Sequence, residues 1–317
     1  MRKTMVVLVM IASVLVVPAG MGFGYDTIEA TGDLEVIAES LSDLFGKNIG
    51  SMTFLGDPVG YSTVPHFAVG VSGGVTLVPA DNISAGSSAQ LDLGGLSYLP
   101  IPAIGAVGKA NIKGFELGVK VSGIPNIAVE GTRINSLILG GKVRYRLLDK
   151  KMVLVRLGAS IGVFYEYATG NVSFVDQTTM PVMEDIDMDG NDEHVGDLTT
   201  TAGFDTKWSG STVGAEAQAN AKILFFNIFA GGRLSSSFGS SSTNLSGDST
   251  LVSYHPSVSG GTISDLDINT EAGPSGLNTM VFGGVEFKIL PINIVARGSY
   301  NFKNENITAD LGARLQF

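Results

Sequence analysis

Three aspartates at alternate positions, Asp185, Asp187 and Asp189, are followed by Gly190 inside the most acidic stretch of the chain. Alternate carboxylates on a tight turn can surround a hard cation with oxygen, which makes this the candidate calcium site. The second half departs from such a loop, because Gly196 stands at the twelfth position where a bidentate Glu belongs. A solvated acidic loop is the simpler account of the same residues. Close by, Asp192-x-His194 has the spacing of a histidine oriented by a carboxylate. No Asp pair accompanies it in residues 124–132, and no nucleophile elbow, phosphate loop or dinucleotide fingerprint occurs, so no enzyme and no catalytic residue is expected. The absence of cysteine removes thiol nucleophiles, thiolate metal sites and disulfides together. Calcium is the one cofactor the pattern suggests.

A second chemical pattern is spread over the whole chain. Lys120, Lys142, Arg144, Arg146, Arg156, Lys222, Arg233, Arg297 and Arg314, with Glu166, Glu216, Glu286 and Asp310, fall on the polar side of segments that alternate polar with apolar. Successive strand side chains point to opposite faces, so these charges share one surface and the apolar residues the other. If that surface lines a lumen, the lumen is basic inside a protein whose net charge is -10. One consequence is a path favouring anions or the carboxylate end of an amphipathic solute. The other is structural, with facing Arg and Glu pairing to fill a narrow barrel.

Ten segments carry this period of two: residues 66–78, 98–109, 115–123, 133–147, 152–168, 209–223, 226–238, 279–289, 292–302 and 307–317. Their connections alternate short and long, as in barrels with tight turns at one end and loops at the other. The long ones, 79–97, 124–132, 170–208 and 239–278, read as loops, and the Ser/Gly-rich run 239–247 as a flexible one. The expected fold is all-β: an antiparallel transmembrane β-barrel of about ten strands, or twelve if a long connection holds a hairpin. Only 16% of residues are charged and mean hydropathy is +0.29, yet no apolar run beyond the N-terminus reaches the roughly 18 residues of a spanning helix. The acidic balance argues against nucleic acid as a partner.

Residues 1–24 have the charged start, short apolar stretch and small residues of a secretory signal peptide. Residues 25–63 hold one short helix, 31–46, where Leu34, Ile37, Leu41, Leu44 and Phe45 form an apolar stripe. That stripe serves equally for a plug in the lumen or a brace beneath it. Residues 64–317 then form the barrel.

The final strand, with Leu311, Leu315 and a terminal Phe317, resembles the C-terminal signature of bacterial outer-membrane proteins. That resemblance implies a barrel-assembly signal, a bacterial outer-membrane location, and lipid and the assembly machinery as partners. The Asp185–Gly190 pattern is similar to the first half of an EF-hand-type loop. Asp192-x-His194 resembles part of the Asp/His couple of the omptin proteases, ten-stranded barrels whose remaining aspartates have no counterpart here. Leu99-Pro100-Ile101-Pro102 and Lys113-Gly114-Phe115-Glu116 resemble motifs of a group of uncharacterised bacterial envelope barrels. A helix ahead of a barrel is remotely similar to the outer-membrane fatty-acid transporter family, although that family's N-terminal Asn-Pro-Ala motif is missing. These readings together imply narrow or gated passage of a small or amphipathic solute, or a surface-binding or structural barrel acting through its long outer loops, with an outer-membrane protease, on the omptin resemblance, a distant third.

Overall fold

Strands that alternate apolar and polar residues bury one face only, and twelve of them pair here. They are β1 (His66–Pro79), β2 (Tyr98–Ile112), β3 (Phe115–Gly123), β4 (Ile127–Val129), β5 (Thr132–Lys151), β6 (Val155–Glu184), β7 (Glu193–Ile223), β8 (Phe226–Ser253), β9 (Gly261–Ala272), β10 (Leu277–Ile289), β11 (Ile292–Asn301) and β12 (Ile307–Gln316). The computed structural model describes residues 38–39, 42–46, 48, 66–79, 98–129, 132–184, 193–254, 261–274, 276–289 and 291–317. Ten strands close into an antiparallel ring, β1–β2–β3–β5–β6–β7–β8–β10–β11–β12, with β12 pairing back onto β1. Phe67 and Phe317 exchange backbone hydrogen bonds of 3.2 and 2.9 Å and fasten the seam where the first and last strands meet. The ring leaves none of its ten strands with an open edge within the barrel wall.

Burial inside the ring is inverted relative to a water-soluble protein. Along β11 exposed and buried residues alternate, and the buried ones include Asn293, Arg297, Ser299 and Asn301. On the opposite face Val71 is 65% exposed and Val119 67%, in an apolar girdle continued by Leu117, Val163, Val285 and Leu311. Phe115, Tyr145, Phe225, Phe226 and Phe287 cluster near the tight turns, where ring pairs such as Phe226–Phe287 lie 5.1 Å apart. Tyr300 and Phe302 mark the other rim. An apolar band between aromatic borders around a polar interior is the transmembrane β-barrel pattern. At the tight end, Lys113 and Gly114 both take positive φ, 48° and 88°, which makes the two-residue link between β2 and β3 the turn whose twist matches its strands.

The expected long loops are the main correction. β6, β7 and β8 run for 30, 31 and 28 residues, about 100 Å each, where about ten residues suffice to cross a bilayer. Above the wall, β6 and β7 stay paired as far as Glu184 and Glu193, and β8 pairs with β9 from Ser241 to Leu251. The run 239–247, expected as a flexible loop, is strand with neighbours on both sides. Residues 171–184, 193–208, 239–253 and β9 thus form a four-stranded blade rising from one side of the barrel. β4 and β9 lie off the ring, so the barrel has ten strands although the described residues form twelve. Of residues 31–46, those described as helical are 38–39 and 42–46. The signal-peptide expectation falls outside the described residues.

Candidate functional site

Parity brings the charged residues to one place. In the middle of the lumen Glu166 accepts from Lys120 and Arg233, each 2.7 Å away. Glu216 lies 3.7 Å from Lys142 and 3.5 Å from Arg144. Arg144, 1% exposed, also holds Glu116 and donates to the amide oxygen of Gln218 at 3.0 Å. Lys109 approaches Glu116 at 3.5 Å. Closer to the tight turns Glu286 is shared by Arg314, Lys288 and Asn227, and Arg297 pairs with Asp310. Arg146 and Arg156, expected in the lumen, stand at its mouth, where both clasp Asp149, and Lys222 is half-buried at the same end. The space left for water among Lys120, Lys142, Glu166, Glu216 and Arg233 is about 30 Å³.

The aromatic half of the interior was not anticipated from the sequence. Phe164, Trp208, Phe229 and Phe282 all point inward and are buried. Each sits opposite a glycine in the register: Phe164 on Gly214, Trp208 on Gly170, Phe229 on Gly284 and Phe282 on Gly231. A Cβ at Gly284 would meet the Phe229 ring at 2.7 Å, so the missing side chain is what lets the ring lie flat on the wall. The guanidinium of Arg233 stacks 3.2 Å above the Phe164 ring and gains its π face as a partner. Parity within their segments already sets Phe164, Phe229 and Phe282 beside the charges, but an apolar residue is read by habit as lipid-facing, and Trp208 lies in the stretch 170–208 expected as a loop.

The blade end is closed by other means. Phe45 of the helix stacks on Trp208 with centroids 4.4 Å apart and planes 8° off parallel. Ser42 donates to Thr243 at 2.9 Å and lies 3.1 Å from the Thr270 hydroxyl. Asn48 meets Asn304 and Asn306 in the turn on the far side of the mouth. Thr206, Ser241 and Thr243 are wholly buried beneath this helix. Leu311, Leu315 and Phe317 lie on the exposed outer face of the closing strand. Asp185, Asp187 and Asp189 fall outside the described residues, as does Asp192, while His194 lies on β7 opposite Met183.

The closed ring, apolar girdle and ion-paired interior define the class, a transmembrane β-barrel protein. A family model described as Lsa36-like matches residues 46–317, and the chain belongs to that family. No curated protein matches. Among solved structures the chain is similar to the outer-membrane protease OmpT of Escherichia coli at 10% identity, with 80% of this chain and 96% of that one covered and a TM-score of 0.35. It is similar also to Ail, the attachment invasion locus protein of Yersinia pestis (11% identity, 80% and 98% covered, TM-score 0.27). The toluene transporter TbuX of Ralstonia pickettii is a third (9%, 81% and 89%, TM-score 0.24). These are likenesses of fold, and no residue's role is carried across from them.

Proposed function

We propose that this protein is a bacterial outer-membrane barrel, closed to free diffusion at rest, that works chiefly through the blade it presents at the cell surface. The observation that carries this reading is the contrast between the lumen and the blade. Free space among the central charges is about 30 Å³, against the roughly 300 Å³ or more of a typical ligand pocket. The same chain invests three strands of 28 to 31 residues in a sheet that extends far beyond any bilayer. The blade bears exposed or half-exposed Asp197, Asp205, Asp248, Asp267 and Glu271, so a partner carrying positive charge suits it by complementarity. Lipid around the girdle and the assembly machinery at the closing strand are the further partners in this reading, and it includes no catalytic step. Planar-bilayer recording tests it: the intact barrel is expected to stay silent, and discrete channel openings would overturn the closed resting state. Protease shaving of intact cells should cut the blade, whereas protection of residues 171–208 would remove it from the surface.

A second reading, gated passage of a small or amphipathic solute with the helix as plug, is favoured by how the helix is held. It meets the wall through hydrogen bonds and a ring stack, which can release without breaking the barrel. Deleting residues 31–46 and neutralising the central ion pairs together should then produce conductance. Continued silence in that double variant rejects passage.

A further inference from the structure

The tight turns are not chemically alike. Between β2 and β3 the link is Lys113-Gly114, a lysine and a glycine that both take positive φ. Elsewhere on the same rim the link between β5 and β6 is Met152-Val153-Leu154, with Val153 98% exposed and Leu154 70%. The Met152 N–H donates to the Val155 carbonyl at 2.8 Å, so this link is a closed turn and not a frayed end. Val155 pairs with Ile223, which sets the next link, Leu224-Phe225, beside it. Leu224 is 67% exposed at φ 55°, a conformation that two-residue hairpins reserve for glycine or asparagine. A bulky residue held there is strained, and water would offer its apolar side chain no compensating contact.

A bulge re-aims the strand that leads into the first of these links. The β5–β6 ladder shifts register between Arg146 and Leu148, and Leu147 and Leu148 are both exposed. Beyond the bulge Asp149 turns to the mouth, where Arg146 and Arg156 hold it, and Lys150 comes opposite Leu157. Leu157 shares the parity of the exposed Ile161 and Val163, and cross-strand partners share a face. Lys150, itself exposed, therefore stands on the outer side of the barrel. The apolar links continue the lipid-facing girdle past the end of the wall, with a lysine at their border. Continuity with the girdle favours lipid as what covers them, and a flexible lysine stem among apolar side chains suits the level of the phosphates. We propose that the rim from β5 to β8 is sunk in the leaflet at this end and binds an anionic phospholipid headgroup through Lys150, with Val153, Leu154 and Leu224 among the acyl chains. This site lies at the end opposite the blade, goes beyond the surface function proposed above, and does not depend on what the blade binds.

The probe is the fluorescence of Val153→Trp in the refolded full barrel, in phosphatidylcholine vesicles containing brominated lipid. The parent's single tryptophan, Trp208, lies at the blade end and supplies the background to subtract. The new tryptophan should be quenched by lipid brominated near the top of its acyl chains and shielded from aqueous acrylamide. With only a minor share of the lipid brominated, phosphatidylglycerol should quench about threefold more than phosphatidylcholine, the preference expected of one lysine at the headgroups. Adding Lys150→Gln should abolish that preference and leave quenching by fully brominated phosphatidylcholine unchanged. Leu154→Trp provides the same reading if the first variant does not refold. Quenching by acrylamide and not by brominated lipid would put the rim in water, open to a soluble partner, and would overturn the proposal. Equal quenching by the two lipids, or a preference that survives Lys150→Gln, would overturn the headgroup site.

Discussion

In the middle of the lumen Arg144, 1% exposed, is held by Glu116 and Glu216, while at the blade end the equally buried Thr243 is held by the hydroxyl of Ser42. One half of the interior is closed by full charges and the other by neutral hydroxyls, amides and stacked rings. The charged layer is built from the wall, so it forms only when the ring closes and is lost only when the ring opens. The neutral layer comes from a separate helix whose contacts can be made and broken one segment at a time. A buried ion pair is a poor source of net stability but a severe liability once one partner is removed, whereas a neutral hydrogen bond contributes modestly and is lost modestly. The central layer is thus the part the barrel cannot do without, and the helix the part it can.

The largest expected effect follows from that asymmetry. Glu116→Gln deprives Arg144 and Lys109 of their shared carboxylate and should lower the unfolding free energy by about 3 kcal/mol or more. Ser42→Ala, at the neutral seal, should lose only about 1 kcal/mol. Urea unfolding in lipid vesicles measures both. Equal losses would erase the distinction between the two seals. Next in size is Gly214→Val, which pushes the Phe164 ring off the wall and away from Arg233, at a loss of about 2 kcal/mol.

Trp208→Ala acts on the helix seal and leaves the charged layer untouched. Losing the Phe45 stack should raise hydrogen exchange of the amides at 42–46 on the order of tenfold, since such a ring pair contributes up to about 1.5 kcal/mol beyond its buried area. Bilayer current should stay at zero in this variant because the charged layer below is intact. A current would show that the helix is the real barrier and reverse the ranking of the seals.

The parts of this arrangement that were legible in the sequence are those where the two faces of a strand meet different solvents. Between Val213 and Ile223, or Ile307 and Phe317, lipid and lumen impose opposite demands on neighbouring residues, and a period of two results. Where both faces are polar, the signal vanishes. Residues 239–247 are Ser, Thr, Asn, Leu and Gly on both sides of a fully paired strand, so nothing in their hydropathy distinguishes them from a loop. The backbone ladder holds them, and side-chain alternation does not report it. The lumen charges were legible through the same parity; it sets Phe164, Phe229 and Phe282 on that face too, but the glycines that make room for the rings lie on other strands and become visible only through the register. Lys109 escaped notice because Pro100 and Pro102 weaken the pattern of β2, although both prolines sit within the strand.

The smallest effect expected lies at the tight-turn mouth, outside the girdle, and it sharpens the contrast between sealed and solvated charge. Hydrogen bonds from Arg156 at 2.6 Å, with the positive charges of Arg156 and Arg146, hold the Asp149 carboxyl below the usual Asp value of 3.8 despite partial burial. A carboxylate whose folded value is depressed stabilises the protein above its unfolded value and loses that contribution as pH falls through the folded one. Asp149 stands at the solvent-reached mouth, its side chain 21% exposed, so after solvent screening the contribution is ~0.5 kcal/mol. Asp149→Asn should therefore be slightly less stable than the parent at pH 7, and the two should converge as pH falls below about 4. Half-molar salt should abolish the Asp149 difference at pH 7 while leaving the Glu116→Gln loss in place, because screening by ions reaches the mouth and not the closed layer above it. If salt reduced both losses in proportion, the central charges would be as wet as those at the rim, and the lumen would be open to bulk solvent after all.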